Sequence, residues 1–326
     1  GAPAIHAPPS KGSPAAEASA AQRPSLPSSM PIPRAPRVRS PLHRFFQAGC
    51  VLFLLALAAA KPGSAQQLAG AQDTLELAFL DVGQGDAIVI RVGGRAILVD
   101  ASRGDDIVLY LEEMGIDSLV AAIASHNHDD HIGGMDAVLA DHPIGEYLYN
   151  GRSPENQNAG RVEEMLRDKG IPNPPPPWRP IQLGDTRITV FRSLIPPDSA
   201  TENNASLGVL VERGSFKALL TGDSEEDELT AWMRAGVIPR VNVLKAAHHG
   251  ARNGLTPGWL DVTRPEVVVI SVGANNPYGH PDPWALRYYT SHHRTVYRTD
   301  RDGTVIISVD PKGRYGVRPS GPLDRQ

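Results

Sequence analysis

Cysteine is nearly absent: Cys50 is the single one in 326 residues. No intramolecular disulfide can form, and a chain that begins after residue 65 has no thiol nucleophile. An apolar stretch long enough to cross a bilayer is also missing, because the run 49–60 falls short of the roughly 20 residues a span needs. Cations are in no excess: 32 Lys and Arg face 36 Asp and Glu. Residues 66–326 alone hold 25 cations against 35 anions, a net of −10, which does not describe a strongly basic surface for gripping duplex DNA. No repeat of 20–50 residues stands out. What remains is ordinary for a folded chain, with 41% hydrophobic and 21% charged residues. That length and balance allow one large α/β domain or two smaller ones.

The front of the chain differs from the rest. Residues 1–43 are dominated by Ala, Pro and Ser with no apolar period, and are expected to be a disordered or untranslated leader, with Met30 as a candidate start. Arg34 to Arg44 then supply a positive flank, residues 49–60 an apolar core, and Gly63-Ser64-Ala65 a small-residue cleavage site. Residues 44–65 therefore read as a secretory signal peptide, against the competing reading of a retained membrane helix. The expectation is a bacterial secreted or periplasmic domain over residues 66–326, with no stable membrane anchor after cleavage. Cys50 lacks the upstream Leu of a lipoprotein box.

Between residues 74 and 309, two strand-rich halves alternate with helical segments. Residues 74–80, 86–92 and 95–100 run or alternate apolar between Gly-rich turns and read as an antiparallel meander. Residues 105–115 have helical spacing that stops at Gly115, and 118–124 form a continuous apolar run suited to a buried strand. In the second half, 185–192, 207–212 and 216–220 read as strands, 225–235 as a helix, and 241–247 and 267–272 as buried strands. A helix over 281–291 and strands over 295–298 and 304–309 follow. The Pro-rich stretch 172–180 reads as a surface loop.

Residues 125–131 read Ser-His-Asn-His-Asp-Asp-His, just past the end of a buried strand. Three imidazoles and two carboxylates in seven residues are hard to explain as core or as a solvated loop. They are the ligand types that borderline divalent ions such as Zn²⁺ prefer. The spacing of two puts His126 and His128 on one side of an extended segment, while Asp130 and His131 turn toward a second position.

This HxHxDH pattern, followed by Ile132-Gly133-Gly134, resembles the signature of the metallo-β-lactamase superfamily. Phe79-Leu80-Asp81-Val82-Gly83-Gln84-Gly85-Asp86-Ala87, Asn203-Asn204-Ala205-Ser206-Leu207, Leu220-Thr221-Gly222-Asp223, Leu244-Lys245-Ala246-Ala247-His248-His249-Gly250, Ser271-Val272-Gly273 and Tyr278-Gly279-His280-Pro281 are similar, in order, to the subfamily represented by the extracellular hydrolase domain of the bacterial DNA-uptake channel ComEC. The resemblance implies an α/β fold, an αββα four-layer sandwich of two mixed β-sheets flanked by helices, with two divalent metal ions at one edge, Zn²⁺ expected and Mn²⁺ the alternative. It implies that His126, His128 and Asp223 hold one ion. Asp130, His131, Asp223 and one of His248 and His249 would hold the other, with Asp223 bridging. Adjacent residues on a strand-like segment point oppositely, which favours a single ligand from that pair, His249.

The sequence departs from the lactamase-type pattern in one respect. No histidine takes the middle ligand position, since His142 follows the motif too soon and reads as a surface residue. The Asn203-Asn204 segment takes that place, with Asn204 read either as a group beside the first metal or as a strand cap. Coordination to two ions makes hydroxide available at neutral pH. Asp130 would orient it, and His248 and His280 would donate to developing oxyanions or protonate a leaving group. The expected function is a phosphodiesterase or nuclease, its partner a phosphodiester substrate such as single-stranded nucleic acid, with no protein partner implied. The alternative is a hydrolase of a small amide, ester or lactone. Asp81 and Asp86 read as turn-shaping residues, and Lys245 either as a phosphate contact or as a paired structural lysine.

Overall fold

The computed structural model describes residues 74–321, apart from residue 155. The leader, the signal peptide with Cys50 and the cleavage site lie outside the described residues. Among those described, no helix is long and apolar enough to cross a membrane.

The N-terminal meander forms as read: β1 (Leu75–Phe79), β2 (Ala87–Val92) and β3 (Arg95–Ala101) pair antiparallel. Crossovers through the helices α1 (Asp106–Glu113), α2 (Asp129–Ile132) and α3 (Met135–Asp141) add β4 (Ala121–Ile123) and β5 (Tyr147–Leu148) in parallel. A helix the sequence reading passed over, α4 (Gln157–Lys169), follows. The Asn156 side chain accepts a hydrogen bond from the Ala159 amide to start α4, and Gly170 stops it at φ 62°.

The second half repeats the style. β6 (Ile181–Leu183), β7 (Thr186–Phe191), β8 (Gly208–Arg213) and β9 (Phe216–Leu220) are antiparallel. Three parallel strands continue the sheet: β10 (Val243–Lys245), β11 (Val267–Ile270) and β12 (Thr295–Arg298). The helices α5 (Glu226–Ala235), α6 (Trp259–Thr263) and α7 (Pro283–Ser291) connect them. After the short α8 (Thr299–Asp302), β13 (Val305–Val309) and β14 (Tyr315–Pro319) cross back and pair onto β1. The first sheet thus runs β14-β13-β1-β2-β3-β4-β5 and the second β12-β11-β10-β9-β8-β7-β6.

Three apolar clusters explain the layering. Leu77, Ile90 and Val99 of the first sheet bury against Val209, Ala218 and Val269 of the second, forming the core between sheets. The other face of the first sheet packs on α1, α3 and α4 through Leu98, Leu111 and Val162. The other face of the second packs on α5, α6 and α7 through Leu244, Trp232 and Tyr289. Helices, sheet, sheet and helices therefore stack as an αββα sandwich. Strands β4, β9, β10 and β11 lie inside their sheets, and β4 and β11 are apolar and buried at every position, as strands covered on both sides must be. Their carboxyl ends open toward one edge, where ligand sites of such sheets form.

Candidate metal centre

Segments leaving those strand ends converge. After β4, residues 124–128 carry His126 and His128 into α2, which presents Asp130 and His131. After β9, Thr221-Gly222 turns to Asp223, and after β10 a tight turn carries His248 and His249. Gly222 has φ 49°, and a Cβ on it would lie 2.8 Å from the Ser125 Cβ, so glycine lets the Asp223 turn press against the segment bearing His126. The Gly83–Gly85 turn seals the floor in the same way. A Cβ on Gly85 would stand 2.3 Å from the Asp130 carbonyl, to which the Asp86 amide donates at 3.0 Å.

The histidines are oriented by their rear nitrogens. His131 Nδ1 lies 2.8 Å from Asp100 Oδ2, and His249 Nδ1 donates to the Ser271 carbonyl at 2.9 Å. Each ring therefore turns Nε2 inward, His131 to 3.2 Å from Asp223 Oδ1 and His249 to 3.4 Å from Asp223 Oδ2 and 3.6 Å from Asp130 Oδ2. His126 Nε2 and His128 Nδ1 approach to 3.0 Å. His131 Nε2, His249 Nε2 and Asp223 Oδ1 are buried without a hydrogen-bond partner among the described residues. Acceptors that face one another yet make no hydrogen bond are aimed at a shared point, and leaving them so costs about 1–3 kcal/mol each. A cation answers that need. Among the described residues His126, His131 and Asp223 offer donor atoms within 4.8 Å of one another, as do Asp130, His131 and His249. The donor set of imidazoles and carboxylates, with rear nitrogens fixed by a carboxylate and a carbonyl, fits divalent metal ions.

Electrostatics agree. Burial and the neighbouring His131 push the His126 imidazole well below its ordinary value. Burial opposes protonation of His131 and His249 too, but Asp223, with Asp100 for His131 and Asp130 for His249, outweighs it. His131 is lifted well above its usual range and His249 to about 9. Burial opposes ionisation of Asp223 and Asp130, yet the adjoining rings hold both carboxyls below the usual carboxylate range. The carboxylates draw positive charge into the cluster, which protons supply in the absence of metal.

Several residues stand apart from their expected places. His248 and His249 do not lie on a strand-like segment; both take left-handed backbone, with φ 50° and 53°, and their rings diverge because the turn is tight. His249 is buried in the cluster, whereas His248 sits at its mouth with Nε2 at 3.8 Å from Asp223 Oδ2 and Nδ1 at 3.0 Å from Asn253 Oδ1. The His280 ring lies 5.5 Å beyond His248, its pKa lowered by burial and by that neighbour. Asn204 neither faces the cage nor caps a strand. Its side-chain oxygen accepts from the Glu225 and Glu228 amides at 3.0 and 3.4 Å, and its amide nitrogen reaches Glu225 Oε2, so the group serves the start of α5. His142 is buried at the end of α3 rather than on the surface.

Sequence reasoning missed Asp100. Its carboxylate takes the Ser125 amide at 2.7 Å, the Ser125 hydroxyl at 2.8 Å and His131, so it fixes the whole motif. A carboxylate ending the apolar run Ala-Ile-Leu-Val was the available signal. Asp86 and Lys245 prove to be one device. Lys245 is fully buried, with Nζ 2.5 Å from Asp86 Oδ2, 2.8 Å from the Gly222 carbonyl and 3.7 Å from Asp223 Oδ1. Asp86 also falls within donor range of Asp223 and His249. The ammonium already meets its charge, so Asp86 does not need an ion.

Residues 80–274 match the model of the family described as the Metallo-beta-lactamase superfamily. The chain belongs to that superfamily. Curated relatives of this superfamily member include ComE operon protein 3 of Bacillus subtilis, 28% identical in an alignment that covers 75% of this chain and 34% of the relative. Recombination protein 2 of Haemophilus influenzae is 29% identical, over 72% of this chain and 29% of the relative. Competence protein ComA of Neisseria gonorrhoeae is 26% identical, over 73% and 32%. The chain spans about a third of the length of these relatives. Among solved structures, the metallo-β-lactamase-fold protein YhfI of Bacillus subtilis superposes with a TM-score of 0.47 at 14% identity, covering 72% of this chain and 99% of that one.

Proposed function

We propose that this metal-dependent hydrolase of the metallo-β-lactamase superfamily cleaves phosphodiesters, holding two divalent ions with His126, His128 and Asp223 on one side and Asp130, His131 and His249 on the other. Bound there, such ions lower the pKa of water and stabilise negative charge on phosphoryl oxygens. The observation that carries the substrate class is the set of donors beside the cage. His248 and His280 line its mouth, and Arg103 reaches to 3.9 Å from Asp130 Oδ1. A phosphodiester presents two non-bridging oxygens to donors of this kind, and its transition state spreads further charge over them. Asp130, ionised and facing His249 Nε2 at 3.6 Å, would orient a water at the cage. His248 is placed to protonate the leaving oxygen, with His280 supporting it. Similarity to relatives named as a competence protein and a recombination protein supports a nucleic-acid strand as the substrate. A domain exported through its leader would meet such a strand outside the cytoplasm.

The test loads the purified chain with Zn²⁺ and, separately, with Mn²⁺, and offers bis-p-nitrophenyl phosphate, single-stranded DNA and nitrocefin. Elemental analysis should return about two ions per chain, and the phosphodiesters should be turned over orders of magnitude faster than the lactam. Nitrocefin as the better substrate would overturn the reading in favour of amide or ester hydrolysis.

A further inference from the structure

A cleft of about 560 Å³ opens beside the metal centre, lined by Tyr278, His280, Trp284 and Arg252 among others. Its wall is aromatic and fixed. Tyr278 is 53% exposed, a high value for so large a ring, and stacks on His280 at 5.9 Å with the planes 20° apart. Trp284 is enclosed rather than open, with the Arg252 guanidinium 4.7 Å over its ring and the Tyr288 ring stacked on it at 5.2 Å. Asn276 holds the loop that presents Tyr278 and His280. Its side-chain oxygen accepts from the Tyr278 and His280 amides, and its amide nitrogen donates to the Gly273 and His280 carbonyls. The cleft leads inward through His280 and His248 to Asp223.

We propose that Tyr278, with Arg252 held in place by Trp284, forms a subsite that stacks the nucleobase next to the scissile phosphodiester of a single strand. The proposal rests on the phosphodiesterase reading above. An exposed, pre-positioned aromatic face is what sequence-tolerant base binding uses, and a guanidinium beside it meets the adjoining phosphate. A quaternary ammonium group, the other common guest of aromatic walls, is disfavoured because Arg252 already stacks on Trp284. Two carboxylates, Glu226 and Asp282, also line the cleft. Asp282 Oδ1 is engaged by the Trp284 amide at 2.6 Å, which leaves Glu226 as the exposed negative group. In a domain of net negative charge, stacking rather than cationic tracking then carries the contact.

The test compares the metal-loaded enzyme with its Tyr278→Ala and Tyr278→Leu variants on three probes: bis-p-nitrophenyl phosphate, an oligothymidylate, and an abasic strand of the same length and charge. The parent enzyme should favour the thymidylate over the abasic strand by about ten-fold or more in kcat/KM. Both variants should lose that preference, chiefly through KM. Anisotropy titration of the two strands onto chelator-treated protein should show the same ordering without turnover. A parent enzyme indifferent to the base, or variants that keep the preference, would overturn the subsite, as would a phosphocholine ester outcompeting the strand. If no phosphodiester is hydrolysed but base-selective binding persists and fails in the variants, the subsite stands and the phosphodiesterase reading falls.

Discussion

Asp223 is the residue on which the cage turns, because both of its oxygens face inward imidazoles within 3.2–3.4 Å. Asp223→Ala should leave the reconstituted chain with at most a trace of metal, since the groups around His131 and His249 lose their common carboxylate; elemental analysis decides it. Full metal content in that variant would mean the cage is mapped wrongly. Lys245 makes a different kind of contribution. A buried ion pair is worth little against an apolar replacement of both partners, but removing one partner strands the other charge. Lys245→Met should therefore cost about 3–5 kcal/mol in urea unfolding. Adding Asp86→Leu should recover most of that loss. A double variant as unstable as the single would show that packing, not the stranded carboxylate, is what Lys245 provides.

At the scale of elements, α5 illustrates how a segment can be legible in pattern and opaque in chemistry. The sequence marks residues 225–235 as a helix, and the helix spans Glu226–Ala235. What pattern does not show is that Glu228 faces inward, fully buried, where burial raises its carboxyl well above the ordinary value and the Ser224 and Ser193 hydroxyls only partly offset that. The folded state thus holds this proton more tightly than the unfolded state. Stability from this group is fully present below the unfolded pKa and is lost as pH rises through the folded one. Glu228→Gln should gain stability relative to the parent chain as pH is raised from about 5 to about 8, measured by thermal unfolding. A pH-independent difference would contradict a buried neutral carboxyl. The missed helix α4 has the opposite history: its cap Asn156 and stop Gly170 are visible in sequence, but polar residues dominate between them and only Ala159, Val162 and Leu166 are buried.

For the whole molecule, the cage joins the two halves: His126 and His131 come from the first and Asp223 and His249 from the second. Ions bound there hold both sheets' strand ends together and bind the folded state alone. At free metal about a hundred-fold above Kd, linkage contributes about 2.7 kcal/mol per site. Stripping the metal should then lower Tm by about 5–10 °C per site for a domain of this size, and restoring it should reverse the shift. A Tm indifferent to chelator would deny any metal-linked coupling of the halves.

The sequence by itself determined the class of structure and the chemistry of the site. Alternating and apolar runs fixed where strands form, because burial on one or both faces leaves a period in the residues. The motif 125–131 and the motifs at Asp223 and His248-His249 announced a cluster of the groups that suit divalent metal ions, because few other environments tolerate so many imidazoles and carboxylates together. Only the tertiary structure decided what each polar residue faces. It returned β13 and β14 to the first sheet, turned Asn204 to the start of α5, buried His142, and set Asp100 and the Asp86–Lys245 pair behind the ligands. Those outcomes depend on contacts between residues well separated in the chain, from 21 positions for Asn204 with Glu225 to well over a hundred for Asp86 with Lys245. No local pattern encodes such a contact, because the energy that selects it exists only once the sheets have packed.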